Sequence, residues 1–335
     1  MVGSKQVNAV QNNYSPLTLG LSMAASWTWA ISIIVGMALL QQKGIIPYVM
    51  WWGMNILALP VYGWVIQRFP QIHEMHQHLA IKLVGGVIVA FALLLNLQGL
   101  FDAGQLTRWL PETGITWLTV LLSLGIVALI GYGGLRWSIL TDQGQWWVLC
   151  IGAFLVLLVT LASPGDERPV LQLGLTSDGL RWGLFALVNL FCAPFTDAMQ
   201  WERATIAMQR GYGMKPFMIS GFVFGLYLLV VAVIGSIALS YVSATLLFVV
   251  VLMASTSTID SSASALQYTF SKWPGILIGI VLVVAWPFLN TLGILSLWAY
   301  QGSIIIGLTV TLFALAWLKS QGWSVTFKIG RARAS

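Results

Sequence analysis

Ten apolar stretches, separated by short polar segments, occupy almost the whole chain and constrain its fold more than any other feature. A helix of about 20 apolar residues is long enough to cross the hydrocarbon core of a bilayer. The stretches lie near residues 17–40, 45–67, 80–101, 115–134, 143–163, 180–200, 215–240, 243–270, 274–294 and 297–318. The sequence therefore predicts an all-α polytopic membrane protein with about ten transmembrane helices.

The composition excludes an ordinary soluble domain. Of the 335 residues, 58% are hydrophobic and only 8% are charged, whereas soluble domains carry about 25% charged residues. The polar residues that precede the first stretch and the lack of a cleavage-site pattern argue against a secretory signal peptide. We expect an integral, multi-pass protein of the plasma or inner membrane whose solvent is the lipid bilayer.

The distribution of Lys and Arg predicts the orientation, because short cytoplasmic loops accumulate positive charge. With a cytoplasmic N-terminus, twelve of the 16 Lys and Arg residues, including Arg203, face the cytoplasm. The other four, Lys43, Arg108, Arg168 and Arg181, face outward. Both termini are therefore predicted to be cytoplasmic. The net charge of +6 follows from this topology, and it gives no reason to expect a nucleic-acid partner.

Ten helices with both ends on one side fit two five-helix halves of opposite topology, an arrangement common among secondary transporters. We predict a lead at 1–16, a first repeat at 17–165, a second repeat at 166–318 and a basic tail at 319–335. In such a 5+5 inverted repeat the first helix of each half is interrupted, which places breaks in helices 1 and 6. Asn189 and Pro194 are positions where helix 6 can open, although proline kinks are also ordinary in membrane helices.

A hydroxyl-rich run, VLMASTSTIDSSASALQY at 251–268, lies inside the eighth stretch. Polar groups at membrane depth need a partner, such as an ion, a solvated cavity or another helix. Small and hydroxyl residues also let helices pack closely. Alternatively, Ala254, Ser257 and Thr258 share one helix face and offer a carbonyl and two hydroxyl oxygens, which are ligands that a hard cation such as sodium prefers. The residues alone leave both interpretations open.

Three segments resemble the sodium:solute symporter family. The family signature Ala-x-x-Ser-Thr, followed by a small residue, Asp and Ser, is matched in helix 8 by Ala254, Ser257, Thr258, Asp260 and Ser261. YGGLRWSILTD at 132–142 is similar to the family segment that opens helix 5, and FTDAMQWERATIA at 195–207 resembles the stretch after helix 6. Within the family, the chain is most similar to the urea and polyamine active transporters, on the basis of ASWTWA at 25–30, Trp201 with Arg203, and MASTST at 253–258.

The resemblance implies the LeuT-type inverted-repeat fold and further ion ligands. It implies that the carbonyls of Ala25 and Thr28 complete the sodium site, that Asp142 lines the inward exit route, and that Asp260 with Ser261 forms a second ion position. The residues by themselves leave Asp142 as an interfacial charge near a helix N-terminus. A buried Asp260 could equally pair with an Arg or take up a proton.

A solute pocket is expected between helices 1, 3, 6, 8 and 10. Its candidate polar or aromatic lining is Ser26, Trp27, Trp29, Asn96, Gln98, Asn189, Phe191 and Gln301. Other tryptophans, Trp51 among them, are expected in interfacial belts. No Arg or Lys is expected at the middle of these five helices, which disfavours a site that clamps a carboxylate. An unwound helix end could still bind a carboxylate through its backbone N–H groups. A neutral solute such as urea, or an organic cation held over tryptophan faces, fits better than a dianion.

We therefore expect a sodium-coupled secondary symporter that imports a small polar solute (urea, polyamine or amino-acid-like) by alternating access. The alternatives are a proton-coupled or facilitative carrier and a transport-inactive solute sensor. No phosphate-binding GxxxxGK loop and no nucleophile–base pair occur in the spans, so neither ATP-driven nor enzymatic activity is expected. Na⁺ is the one metal expected, as coupling ion, and no cofactor is expected. The sequence leaves the oligomeric state open. His73, His76 and His78 are expected in a solvated loop rather than a metal site.

Overall fold

The computed structural model describes residues 14–321 apart from 77, 108, 167–168 and 290–292. The predicted lead up to residue 13 and the predicted tail beyond residue 321 lie outside the described residues. The described part consists of helices and connecting segments without a β-strand. Its α-helices are α1 Pro16–Trp27, α2 Ala30–Ala38, α3 Ile45–Arg68, α4 Pro70–Met75, α5 Leu79–Gln105, α6 Glu112–Ala162, α7 Ser177–Cys192, α8 Ala198–Gln209, α9 Lys215–Gly235, α10 Tyr241–Phe270, α11 Lys272–Leu289 and α12 Ile294–Ser320.

The described helices provide eight to ten membrane spans, which confirms the prediction of a polytopic, all-helical membrane protein. Eight helical segments are long and apolar enough to cross a bilayer by themselves. Two further spans result if each bent helix pair is counted as one. The pair Pro16–Trp27 and Ala30–Lys43 bends by 56°, and the pair Ser177–Phe195 and Ala198–Gln209 bends by 54°. The interruptions are thus in helices 1 and 6, where the sequence predicted them.

Helix α6 is one helical run where the sequence predicted two helices. A straight helix of 51 residues would be about 76 Å long, more than twice the thickness of the hydrocarbon core. The run instead folds back on itself. Ile115, near its start, and Phe248 both lie against Gly104, while Gly152, near its end, lies against Val250. The two ends are therefore at the same depth along α10, and α6 supplies two antiparallel spans, Glu112–Gly131 and Trp137–Ala162.

The outer face of the second α6 span is apolar. Trp147, Ile151, Phe154 and Leu158 are all exposed and recur every three or four residues, so they form one stripe along the helix. A continuous apolar stripe of this size is unfavourable in water, and the acyl chains of a bilayer would cover it. The polar side chains described below lie on the opposite, buried side of the bundle.

The break in helix 1 is stabilised by an asparagine of α5. The first backbone N–H of α2, at Ala30, donates to the side-chain oxygen of Asn96 at 2.8 Å. The N–H of Ser32 donates to the Trp29 carbonyl at 2.9 Å, so Trp29 is the N-cap and the helix starts again at Ala30, two residues after Thr28. The carbonyl of Thr28 is thereby directed towards α10 and away from its own helix.

The break in helix 6 follows a proline. Ala193–Phe195 form a 3-10 turn around Pro194, which has no backbone N–H to continue an α-helix. Asp197 then caps α8 by accepting from the Met199 N–H at 2.9 Å. The predicted opening near Pro194 is confirmed. The prediction that the helix can open at Asn189 is wrong, because α7 continues through that residue to Cys192.

The histidine segment between α3 and α5 is packed against the bundle. His76 is 1% exposed, stacks on Trp201 of α8 with ring centroids 4.0 Å apart, and bonds the Phe195 carbonyl at 3.0 Å. His73 bonds the hydroxyl of Thr205 at 3.1 Å. The expectation of a solvated loop is therefore wrong for His76, because α4 folds back against α8. Among the described residues, no group of three or more His, Cys, Asp or Glu side chains could hold a metal ion.

Candidate functional site

Thr258 of α10 lies beside the break in helix 1. Its hydroxyl oxygen is 3.1 Å from the Ala254 carbonyl on its own helix and 3.5 Å from the Thr28 carbonyl at the break. All three residues are completely buried. A hydroxyl that donates its proton to a carbonyl keeps its lone pairs, and each carbonyl has a second lone pair. The Thr258 hydroxyl and the Thr28 carbonyl can therefore face a cation while they keep their mutual hydrogen bond. The Ala254 carbonyl also accepts the helical N–H of Thr258, so it can face a cation when the hydroxyl donates to Thr28 instead.

The other two predicted sodium ligands are also buried, but they are engaged differently. The Ala25 carbonyl accepts a hydrogen bond from the Thr28 N–H at 3.0 Å, where α1 ends. The Ser257 hydroxyl donates to a carboxylate oxygen of Asp142 at 2.9 Å. The structure thus brings Ala254, Thr258 and Thr28 together, and it places the Ser257 hydroxyl between this position and a neighbouring group of charges.

An ion pair between Asp142 and Arg203 forms the centre of that group. The carboxylate of Asp142 is 2.7 Å from the guanidinium of Arg203, and both side chains are fully buried. The expectation that Arg203 belongs to a loop is wrong, because Arg203 lies within α8 and its side chain is fully buried. The reason is the bend in helix 6, which turns α8 back into the bundle and carries Arg203 with it.

All three nitrogens of the Arg203 guanidinium have oxygen partners. Nε donates to the Ser22 hydroxyl of α1 at 2.8 Å, and Nη1 donates to the Met199 carbonyl at 2.8 Å. Besides Asp142, Nη2 contacts the hydroxyls of Ser138 at 3.2 Å and Ser261 at 3.0 Å. The cation therefore joins α1, α6, α8 and α10. A buried guanidinium with a full set of acceptors is the arrangement that offsets its desolvation.

Asp260 lies at the edge of the same network. One of its carboxylate oxygens accepts from Ser138 at 3.0 Å and Ser261 at 3.2 Å, and the other accepts from Thr141 at 2.8 Å. Because Ser138 and Ser261 also contact Arg203, Asp260 and Asp142 share one guanidinium. The predicted second ion position, Asp260 with Ser261, thus lies next to Asp142, the residue predicted to line the exit route.

A cavity of about 430 Å³, counting its open mouth, lies on the other side of the helix 1 break. Aromatic and amide side chains dominate its lining: Trp27, Trp29, Trp51, Trp298, Asn55, Asn189 and Gln301. Four of the eight residues predicted to line a solute pocket are among them, namely Trp27, Trp29, Asn189 and Gln301. The remaining side chains of the lining are mainly small or aliphatic, with one hydroxyl from Ser32.

The other four predicted pocket residues, Ser26, Asn96, Gln98 and Phe191, lie outside this lining. Asn96 caps α2 at the break, as described above, and Gln98 donates to Asp102 on its own helix at 2.8 Å. Ser26 accepts from the Gln200 amide at 3.0 Å. Phe191 is 37% exposed. Each of these side chains therefore has a role in packing, capping or the outer surface.

Sequence reasoning missed the contribution of α3 to the cavity. Trp51 and Asn55, one turn apart, both face it, and the Asn55 oxygen accepts from the Trp27 indole N–H at 3.1 Å. Trp51 is 2% exposed, so the expectation that it belongs to an interfacial belt is wrong. The available signal was Asn55, which is the one amide in the interior of the apolar stretch 45–67, since the other, Gln67, stands at its end.

The side-chain amide of Asn189 is the least satisfied polar group of the cavity. Asn189 is 1% exposed, and its oxygen has no hydrogen-bond partner. Its position is fixed from behind by α12, where a Cβ on Gly302 would lie only 2.5 Å from a ring carbon of Phe185 and 2.7 Å from Asn189. Buried amides are normally hydrogen-bonded, and Asn189 is a lining residue of the cavity, so a bound molecule that reached this oxygen would supply the partner it lacks.

No protein-family model matches the chain, and no curated protein matches it significantly.

Proposed function

We propose that this protein is a sodium-coupled secondary symporter that imports a small polar solute by alternating access. The observation that carries the proposal is that a group of oxygen atoms and a cavity both adjoin the break in helix 1. The hydroxyl of Thr258 and the carbonyl of Ala254 face the Thr28 carbonyl that the break releases. The adjoining residues Trp27 and Trp29 line the cavity. An ion site and a solute site thus share one irregular backbone segment.

The two bent helix pairs support a 5+5 inverted repeat as the architecture. With ten spans, helices 1 and 6 are the first helices of the two halves, and they bend by 56° and 54°. Transporters of this class place discontinuous helices near the bilayer midplane, where unwound carbonyls coordinate the coupling ion. In the proposed orientation both termini are cytoplasmic, and the bilayer, Na⁺ and the solute are the partners.

The ligand chemistry suits a reversible coupling ion. Sodium favours hard oxygen donors, and the donors at Thr258, Ala254 and Thr28 are uncharged. Binding to neutral oxygens is weaker than binding to carboxylates, so the ion can dissociate during each cycle. A sodium ion at this position would fix the break and so fix the cavity wall formed by Trp27 and Trp29. Sodium and solute would then bind cooperatively through one conformational equilibrium.

The Arg203 network is the contact that must separate in such a cycle. Ser22 and Arg203 belong to helices 1 and 6, whereas Asp142 and Ser257 belong to helices 5 and 8. In the proposed mechanism helices 1, 2, 6 and 7 rock against the rest. Opening on the side of the network therefore requires the Asp142–Arg203 ion pair to part, while the cavity closes on its other side.

The test is thermal stabilisation of the purified protein in sodium and in potassium at equal ionic strength. At about tenfold saturation, a ligand that binds only the folded state stabilises by about 1.4 kcal/mol, so sodium should raise the melting temperature and potassium should not. Thr258→Ala should abolish the sodium-specific increase. Ser255→Ala is the matched control, since Ser255 is equally buried on α10 and donates only to the Val251 carbonyl at 2.9 Å.

A sodium effect that is present in wild-type protein and in Ser255→Ala but absent in Thr258→Ala would support the proposal. Equal melting temperatures in sodium and potassium would contradict it. So would a sodium effect that Thr258→Ala leaves intact, because the ion would then bind elsewhere.

A proton-coupled carrier is the second candidate, and Asp260 favours it. Two buried carboxylates share the single guanidinium of Arg203, and the described hydrogen bonds of Asp260 all come from hydroxyls. One way to balance this charge is to protonate Asp260. The two candidates differ in the effect of Asp260→Asn. If the protein is a symporter that binds sodium at Thr258, the Asp260→Asn variant should keep its sodium-dependent stabilisation. If it is a proton-driven carrier, uptake should not depend on sodium, and the variant should lose the pH dependence of uptake.

A further inference from the structure

The cavity carries enough chemistry to specify a class of solute. We infer that it binds a neutral, planar molecule that combines a flat ring face with an adjacent N–H donor and C=O acceptor, as in a ring carboxamide or a lactam. The inference rests on the proposed function in taking this cavity as the solute site. It narrows the expected solutes by excluding both polyamines and amino acids.

The lining argues for a neutral solute. Among the described residues that line the cavity, none is charged. A carboxylate or an ammonium group would therefore lose its hydration without gaining a counter-charge, which is costly. The nearby cation of Arg203 is already occupied by Asp142 and its other partners. An organic cation could still gain from tryptophan faces, but a sodium ion bound next to Thr28 would repel it.

The tryptophans argue for a flat solute. The Trp27 indole N–H donates to Asn55 at 3.1 Å, and the Trp29 indole N–H donates to the Ser26 carbonyl at 2.7 Å. Both rings are thereby fixed in position, and their polar N–H groups are already used. What these two side chains can offer a solute is ring surface, against which a planar ring packs well in offset or edge contacts.

Asn189 argues for an amide-type group on that ring. Its side-chain amide has an unpartnered oxygen and is buried against the cavity. A primary amide presents an acceptor and a donor side by side. The complementary partner carries a donor and an acceptor in the same adjacent arrangement, which a carboxamide or a lactam provides. The close approach of Gly302 to Asn189 restricts the amide to one position, so it can discriminate among solutes.

Three probes that differ mainly in charge test the inference. Nicotinamide is a neutral ring carboxamide, nicotinate replaces the amide by a carboxylate, and N1-methylnicotinamide keeps the amide on a cationic ring. Each is titrated into the purified protein in sodium buffer and in potassium buffer of equal ionic strength, and melting temperature and tryptophan fluorescence are measured. We expect nicotinamide to raise the melting temperature and change the fluorescence, and the other two to do neither. Asn189→Leu should weaken nicotinamide binding by about tenfold, the loss expected for a buried hydrogen bond.

Several results would overturn the inference. They are equal binding of all three probes, no binding of nicotinamide, preference for either charged probe, and unchanged nicotinamide binding in Asn189→Leu. The sodium-specific stabilisation serves as the folding control for the variant. If the variant does not fold, the comparison of the three probes on wild-type protein decides.

The same titrations separate this inference from the proposed function. Sodium-specific stabilisation without nicotinamide binding would overturn the solute class and leave the ion site intact. Nicotinamide binding that is equal in sodium and potassium, without a sodium effect, would overturn sodium coupling and leave the solute class intact.

Discussion

The Arg203 network and the tryptophan-lined cavity lie on opposite sides of the same helix break, yet they differ in how far the protein satisfies its own polar groups. All three guanidinium nitrogens of Arg203 have oxygen partners. In the cavity, the Asn189 oxygen has none. Buried polar groups are nearly always hydrogen-bonded. The Arg203 network therefore holds the fold in one state, whereas Asn189 combines an unpartnered oxygen with a place in the cavity lining, where a ligand could supply the missing hydrogen bond.

The two regions also differ in charge, with opposite consequences. The network concentrates Asp142, Asp260 and Arg203 where α1, α6, α8 and α10 meet. The cavity lining is uncharged in the described residues. Removing one partner of a buried ion pair leaves an unpaired charge and costs far more than the pair itself contributes. Substitutions in the network should therefore act mainly on stability, and those in the cavity mainly on binding.

The largest expected effect is that of Arg203→Met. The substitution leaves Asp142 buried without its cation, so we expect a loss of about 3–5 kcal/mol, measured as a large fall in melting temperature. Lys319→Met is the matched control, because Lys319 pairs with Glu74 at 3.1 Å while both side chains are 44% or more exposed. Exposed pairs contribute about 0–1 kcal/mol. Similar losses in the two variants would contradict the assignment of Arg203 to a buried network.

A double variant sharpens this prediction. Asp142→Asn removes the charge that Arg203→Met leaves unpaired, so the double variant should be more stable than the sum of the two single losses predicts. Residues in one network show such coupling, typically about 0.5–3 kcal/mol. Additive losses would mean that the ion pair does not dominate the energetics of the network.

A smaller effect is expected on the cavity side, from Gly302→Ala. The added Cβ would lie 2.5 Å from Phe185 and 2.7 Å from Asn189, and overpacking of this kind costs about 1–3 kcal/mol. It should also displace the Asn189 amide and weaken nicotinamide binding. Gly307→Ala is the control on the same helix, since nothing lies within 4 Å of its Cβ position. That variant should be as stable as wild type or slightly more stable. Equal melting temperatures of the two variants would show that α12 does not clamp Asn189.

The features that the sequence could predict are those that depend on neighbouring residues along the chain. Span number and the two breaks follow from the length of apolar stretches and from local breakers such as Pro194, which act along the chain. The burial of the hydroxyl run around Thr258 also follows from composition. Arg203 was misplaced because counting positive charges assigns every basic residue near a helix end to a loop. Nothing local indicates that the bend in helix 6 returns α8 to the interior.

The cavity was only half predicted for a different reason. A helix that is apolar on all sides carries no sequence signal for its rotation about its own axis, because lipid and protein both accept apolar side chains. Asn96 and Gln98 on α5 were therefore assigned to the pocket although they have other partners. Trp51 was assigned to the membrane interface although it lines the cavity. Which face of each helix points inward depends on contacts between distant segments.

The smallest expected effect is on the pH dependence of stability, and it comes from His76, which packs against α8. The Phe195 carbonyl can only accept, so His76 donates through Nε2, and its Nδ1 is buried without a partner. Burial, with a further contribution from His73, lowers the pKa of His76 well below its usual 6.5. Below about pH 6.5, His76 takes up a proton in the unfolded chain but not in the folded chain. The free energy of unfolding should therefore fall with decreasing pH by about 1.4 kcal/mol per pH unit.

His76→Gln should flatten the dependence of melting temperature on pH between about 7.5 and 5.5. His73, whose pKa is also lowered by burial, is less buried than His76, so His73→Gln should remove a smaller part of the slope. An unchanged slope in His76→Gln would mean that other groups dominate the acid sensitivity. A flattened slope would instead establish that His76 is uncharged in its stack on Trp201, so that acid weakens this contact between α8 and the segment that precedes α5.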